Sequence, residues 1–152
     1  MISATSDYAL RAALVLAREY GKRPMRAEEI ANAIGAPRNY LAKTLNALAK
    51  AGIASSARGP MGGFQLAHAP ELITVSDVID CFDGPRQNAK CLLGSAACDL
   101  RTPCAAHVTW TAIMVARREP LTRTTLSQLL SGSDDVIHST TERDYDHAVA
   151  SY

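Results

Sequence analysis

Apolar side chains recur at helical spacing over the first twenty residues, at Ala9, Leu10, Ala13, Leu14, Leu16 and Ala17. The period predicts a helix from about Ser6 to Tyr20, with Ser6 as its cap, Asp7 in its favourable first turn and Gly21 as its stop. Lys22–Pro24 reads as a short basic connection. A second helix begins near Arg26 and carries Ile30, Ala31 and Ile34 on one side, until Gly35 breaks it. Pro37 then opens a third, Arg38 to Ala51. On that helix Tyr40, Leu41, Leu45 and Leu48 form an apolar stripe, with Ile53 packing beyond Gly52. Arg38, Asn39, Lys43, Thr44, Asn46 and Lys50 fill the other positions.

The period then drops to two. Ile53–Ala57 predicts a short strand, Arg58-Gly-Pro-Met-Gly-Gly a turn, and Phe64–Ala67 the returning strand. Near Thr74 a helix resumes with Val75, Val78, Ile79 and Phe82 inward, and Thr74 and Asp77 are spaced as a capping box. Cys81 falls among these core neighbours and reads as a small buried hydrophobe. Asp83-Gly84-Pro85 closes the helix. A long helix is expected from Cys104 to about Arg118, with Trp110 as a large anchor, and a short one from about Thr124 to Gly132. Five acids and one arginine among the last twenty residues, with few aliphatics, read as a mobile acidic tail.

These elements predict a mainly α-helical fold with a small β-hairpin: a winged helix-turn-helix domain at 1–83, a cysteine loop and long dimerisation helix at 84–132, and the tail at 133–152. Two short helices joined by a Gly-Ala-Pro turn, the second polar and basic outside, suit a DNA major groove. An ordinary helical hairpin fits that pair almost as well. The hairpin with a basic, glycine-rich tip is what separates the two readings. Arg38, Asn39, Tyr40 and Lys43 are expected at the groove-facing start of the third helix. Arg38 and Asn39 have donors for base edges, and Lys43 suits a phosphate. Arg58 is placed for the backbone or minor groove, and Gly62 and Gly63 permit positive backbone angles and close approach to a phosphate or groove floor.

Charge adds to this picture more than composition does. The net charge of the 152 residues is only +1, yet residues 1–70 carry nine Lys or Arg against four Asp or Glu. Residues 71–152 carry seven against eleven, so the base sits with the predicted DNA-reading half. At 47% hydrophobic and 20% charged the chain can build a core. No apolar run is long enough to span a bilayer and the opening residues lack a basic start, so the expected home is the cytoplasm, with no membrane partner. With no nucleophile motif or phosphate-binding loop, an enzyme is not expected.

All four cysteines fall between residues 81 and 118. Cys91, Cys98 and Cys104 flank Gly94, Ser95, Arg101, Thr102 and Pro103, which read as a loop, and His107 lies one helical turn beyond Cys104. Three thiolates and an imidazole could hold a metal or an iron–sulfur cluster. Redox-active or disulfide-forming cysteines, and plain free thiols, remain the alternatives.

The segments SDYALRAALVLA, NYLAKTLNALAKAGIASSARGPMGGFQLA, ITVSDVIDCFDG and the cysteine loop running into HVTWTAI resemble the bacterial winged-helix regulator family that includes the iron–sulfur regulators IscR and NsrR. The resemblance covers about residues 1–130. It implies a homodimer with crossing long helices, a palindromic double-stranded DNA operator, and a cluster held by Cys91, Cys98 and Cys104. The fourth ligand it implies is either His107, completing a 2Fe-2S site, or Asp7 of the partner subunit's first helix, completing a 4Fe-4S site. An extra residue between the first two cysteines departs from the IscR-like loop, and the SDYALR match favours Asp7 and the 4Fe-4S form. The implied signal is nitric oxide, redox state or cluster supply. A regulator of the same fold that senses through thiol oxidation without a cluster is the alternative.

Overall fold

The structure, a computed structural model, describes residues 2–84 and 103–132. Cys91, Cys98 and the acidic tail lie outside them. The first helix, α1 (Ala4–Arg18), is the hub. Ala9, Ala12 and Ala13 are fully buried on it, and Leu14, Val15, Leu16 and Ala17 are nearly so. Arg11 is buried as well, and its guanidinium pairs with Asp7 one turn earlier, 3.0 Å away. Small alanines on most of the circumference let other helices approach the α1 backbone closely.

The elements that follow α1 are α2 (Ala27–Ile34), α3 (Arg38–Lys50), β1 (Ala54–Ala57), β2 (Gly63–Leu66), a single 3-10 turn at Pro70–Leu72, α4 (Val75–Asp83), α5 (His107–Arg123) and α6 (Leu126–Gly132). Helices α2, α3, α4 and α6 and strand β2 all pack against α1. Ile30, Leu41, Leu45, Leu48, Val78 and Leu126 are fully buried in the one core they share with it. The predicted fold class is therefore observed: mainly α-helical, with a two-stranded antiparallel hairpin and a longer helix following it.

Several boundaries differ from the sequence reading, each for a local reason. Ser3 rather than Ser6 caps α1, accepting from the Ser6 N–H at 3.2 Å, and Ser6 is buried inside the first turn. The helix stops at Arg18, and Gly21 follows it with a φ of 80°. The Thr74–Asp77 capping box forms as expected: Asp77 N–H donates to Thr74 Oγ1 at 3.2 Å and Thr74 N–H to Asp77 Oδ2 at 2.8 Å. The long helix begins at His107 rather than Cys104 and runs through Pro120 to Arg123. Between α5 and α6, Thr125 bridges antiparallel to Thr74 at the start of α4. There Val75 N–H donates to the Thr124 carbonyl and Leu126 N–H to that of Ile73, both at 2.9 Å, which draws α6 back onto the core.

The hairpin pairs Ala54 with Leu66 and Ala57 with Gly63. A third piece of backbone, absent from the sequence reading, completes it. Met25 pairs antiparallel with Phe64, its N–H donating to the Phe64 carbonyl at 2.9 Å and its carbonyl accepting from Phe64 N–H at 2.7 Å. Gly63 makes that approach possible, because a Cβ there would lie 2.5 Å from the Met25 carbonyl oxygen. Gly63→Ala is therefore expected to lower stability by about 1–3 kcal/mol through overpacking. Gly132→Ala, where a Cβ would meet nothing within 4 Å, should leave it nearly unchanged. The shift in urea midpoint of the two variants checks this.

Candidate nucleic-acid interface and cysteine segment

The turn between α2 and α3 is set by Gly35, in the left-handed region at φ 66°, and by Pro37 as the N-cap of α3. Leu41, Thr44, Leu45 and Leu48 face the core, which leaves Arg38, Asn39 and Lys43 exposed at the start of α3. Thr44, read as an outward polar position, is buried, and its hydroxyl donates to the Tyr40 carbonyl at 3.2 Å. Arg38 Nη1 lies 3.5 Å from Glu28 Oε2 of α2, a solvent-exposed pair that another anion can readily replace.

Tyr40 departs from the inward stripe expected of it. It is 38% exposed, and its ring stands edge-on to Tyr8, centroids 5.6 Å apart, while its hydroxyl meets that of Thr5. The start of α3 is thereby tied to the first turns of α1, the same turns that carry Asp7.

In the wing, Arg58 and Met61 are exposed at the tip. The positive backbone angle expected at Gly62 and Gly63 occurs at Gly59 instead, with φ 105°. Gly62 and Gly63 are required for a different reason: a Cβ on Gly62 would strike the Ala57 carbonyl oxygen, and one on Gly63 would strike Met25. Their close approaches are to this chain's own backbone. Arg26, which the sequence reading used only to mark the start of α2, donates from Nη2 to the Pro60 carbonyl at 3.0 Å. Nothing in the local pattern could have signalled a contact spanning 34 residues.

Beside the wing, Arg23 grips Glu29 with both terminal guanidinium nitrogens, at 2.6 and 3.2 Å. Arg26 N–H donates to the same carboxylate at 2.7 Å. The Arg23 hydrogen bonds first, then the Arg26 backbone N–H, hold the Glu29 carboxyl down at about 2.

Of the cysteine-segment residues and their candidate fourth ligands, the structure describes Cys104, His107 and Asp7. Cys104 is half-buried, and its carbonyl accepts from His107 N–H at 2.9 Å where α5 begins. Among the described residues no three His, Cys, Asp or Glu side chains are gathered as a metal site. Cys91 and Cys98 fall outside those residues. At the end of α4, Ser3 N–H donates to Asp83 Oδ2 at 3.1 Å, and Arg118 of α5 pairs with Asp80 of α4. Cys81 is half-buried on α4, its thiol donating to the Asp77 carbonyl at 3.2 Å. Burial first, then the Asp77 and Asp80 carboxylates, push that thiol up, which disfavours the reactive thiolate. On α5, Val108 and Val115 are 76% and 64% exposed and lie seven residues apart on one face.

Residues 2–132 match the family model Rrf2, described as an iron-dependent transcriptional regulator. The chain is 30% identical over 148 residues to the regulator IscR of Vibrio vulnificus, covering 97% of this chain and 87% of that one. The structure of CymR, the global cysteine regulator of B. subtilis, superposes with a TM-score of 0.73 at 30% identity, covering 88% of this chain and 98% of that one. IscR of T. potens superposes with a TM-score of 0.72 at 26% identity, covering 93% of each chain. No helix among the described residues is long and apolar enough to cross a membrane.

The Glu29 geometry yields a direct check. Because its carboxyl is held low, the contribution of the Arg23–Glu29 pair is present above the ordinary carboxylate range and is lost as pH falls through about 2. A carboxyl NMR titration should give a Glu29 midpoint near 2, and Arg23→Ala should move it up toward the ordinary value of 4.5. A midpoint in Arg23→Ala equal to that of the unaltered protein would contradict the pairing.

Proposed function

The chain belongs to the Rrf2 family of winged-helix transcriptional regulators, related to IscR-type proteins, and from that premise we propose that it binds operator DNA through α3 and the wing and adjusts that binding through its cysteines. DNA binding as a homodimer is the behaviour typical of this family, and the chain is a regulator rather than an enzyme. The observation that carries the reading is the shared exposure of Arg38, Asn39 and Lys43 on α3 and Arg58 on the wing, all mounted on one core. In this reading Arg38 and Asn39 meet base edges, Lys43 and Arg58 meet phosphate or the minor groove, and Tyr40 positions the start of α3 from its contact with α1. Gly62 and Gly63 hold the wing's shape. The exposed Val108–Val115 face of α5 supplies the dimer contact.

For the response, the cluster-free thiol reading comes first. It draws on the likeness to CymR, a cysteine regulator, and needs only side chains the chain has. Two thiols and one peroxide would yield a disulfide and two waters, altering the segment that leaves α4 beside Asp83 and enters α5 at His107. The second reading is an iron–sulfur cluster on Cys91, Cys98 and Cys104, with Asp7 and a 4Fe-4S form or His107 and a 2Fe-2S form. It is favoured by the likeness to IscR, by the three-cysteine spacing, and by His107 opening α5 one turn after Cys104. The donor set suits iron: three thiolates with an imidazole or carboxylate. A bound cluster would supply a redox-sensitive crosslink between these residues.

Two measurements test these readings. Arg58→Ala should weaken binding to operator and unrelated DNA alike, and lower the slope of log affinity against log salt by about one. An unchanged affinity and slope would remove the wing from the interface. Protein purified without oxygen should, in the thiol reading, lack visible absorption and acid-labile sulfide, and lose or gain operator affinity reversibly with peroxide. Stoichiometric iron and sulfide, lost in Cys91→Ala, Cys98→Ala and Cys104→Ala but kept in Cys81→Ala, would establish the cluster instead. Asp7→Ala and His107→Ala would then identify the fourth ligand.

A further inference from the structure

The wing is not anchored by its hairpin alone. Its returning strand is bridged to Met25 by two backbone hydrogen bonds, and the tip is held by one side chain, Arg26, through Nη2 to the Pro60 carbonyl. The same residue's N–H is fixed by Glu29, which Arg23 also grips. A groove of about 410 Å³ lies beside this contact, lined by Arg23, Arg26, Glu28, Pro60 and Met61. Glu28, which also lines the groove, pairs with Arg38 of the recognition helix.

We infer that Arg26 is a positioning residue for DNA recognition: it sets the distance of the wing tip from α3, so that both engage one operator at once. The inference rests on the reading that the wing contacts DNA. A hydrogen bond from a guanidinium to a carbonyl is directional, and Arg26 makes it without being needed for the core, since its side chain is exposed. Loss of the bond leaves the hairpin and the Met25 bridge intact and frees only the tip. DNA binding must then reorder that tip, which costs affinity without removing a phosphate contact.

The test uses the full-length protein. In Arg26→Ala, operator affinity should fall about tenfold with an unchanged salt slope, because no counterion-releasing contact is lost. In the DNA-free variant, the Gly62 amide, which donates to the Gly59 carbonyl at 2.9 Å, should exchange faster, while core amides of α1 do not change. A salt slope reduced by about one with unchanged Gly62 exchange would make Arg26 a simple charge contact and overturn the inference. Arg26→Lys keeps the charge but lacks the planar fork. Affinity restored by lysine while Gly62 exchange stays fast would also overturn it, whereas affinity and exchange recovering or failing together would support it. Should Arg58→Ala leave affinity unchanged, the wing reading fails, and the exchange measurement still reports the tether separately.

Discussion

The burial of α1 on nearly all sides is the constraint on which the rest of this molecule depends. A helix can be surrounded by four others only if its surface is small enough for their backbones to come close, and Ala9, Ala12, Ala13 and Ala17 meet that condition. Leu14 and Leu16 then fill the spaces between the neighbours. Helices α2, α3, α4 and α6 all rest on this one element, and its first turns carry contacts to α3 and α4. Those turns hold Asp7, the Thr5–Tyr40 hydroxyl contact and the Ser3–Asp83 hydrogen bond.

This arrangement brings the exposed start of α3 and the end of α4 to the same end of α1. Tyr40 ties the exposed start of α3 to α1, and Asp83 ties the end of α4 to the cap of α1, just before the cysteine segment departs. Arg118 and Asp80 join α5 to α4.

The wing obeys a different constraint. A two-stranded hairpin is marginal by itself, and here it is supported by the connection between α1 and α2. The backbone of Met25 and the side chain of Arg26 take part, with Glu29 held low in proton affinity by Arg23 and by the Arg26 N–H. Basic residues in that connection thus serve the geometry of the tip as well as the overall charge of the first half.

The periodic pattern of the chain was enough to determine the order of helices, the hairpin, the Gly35 break and the Thr74–Asp77 cap, because each depends on neighbours within a few positions. It also marked Arg38, Asn39, Lys43 and Arg58 as outward, since their apolar neighbours had to face the core. Only the tertiary structure decided that Tyr40 leans on Tyr8 and Thr5, that Gly63 admits the Met25 carbonyl, that Arg26 reaches Pro60, and that α6 returns to α1 through the Thr74–Thr125 bridge. Each of those contacts joins residues tens of positions apart. Their partners are chosen by the path of the folded backbone, and a local pattern of apolar and polar side chains carries no record of it.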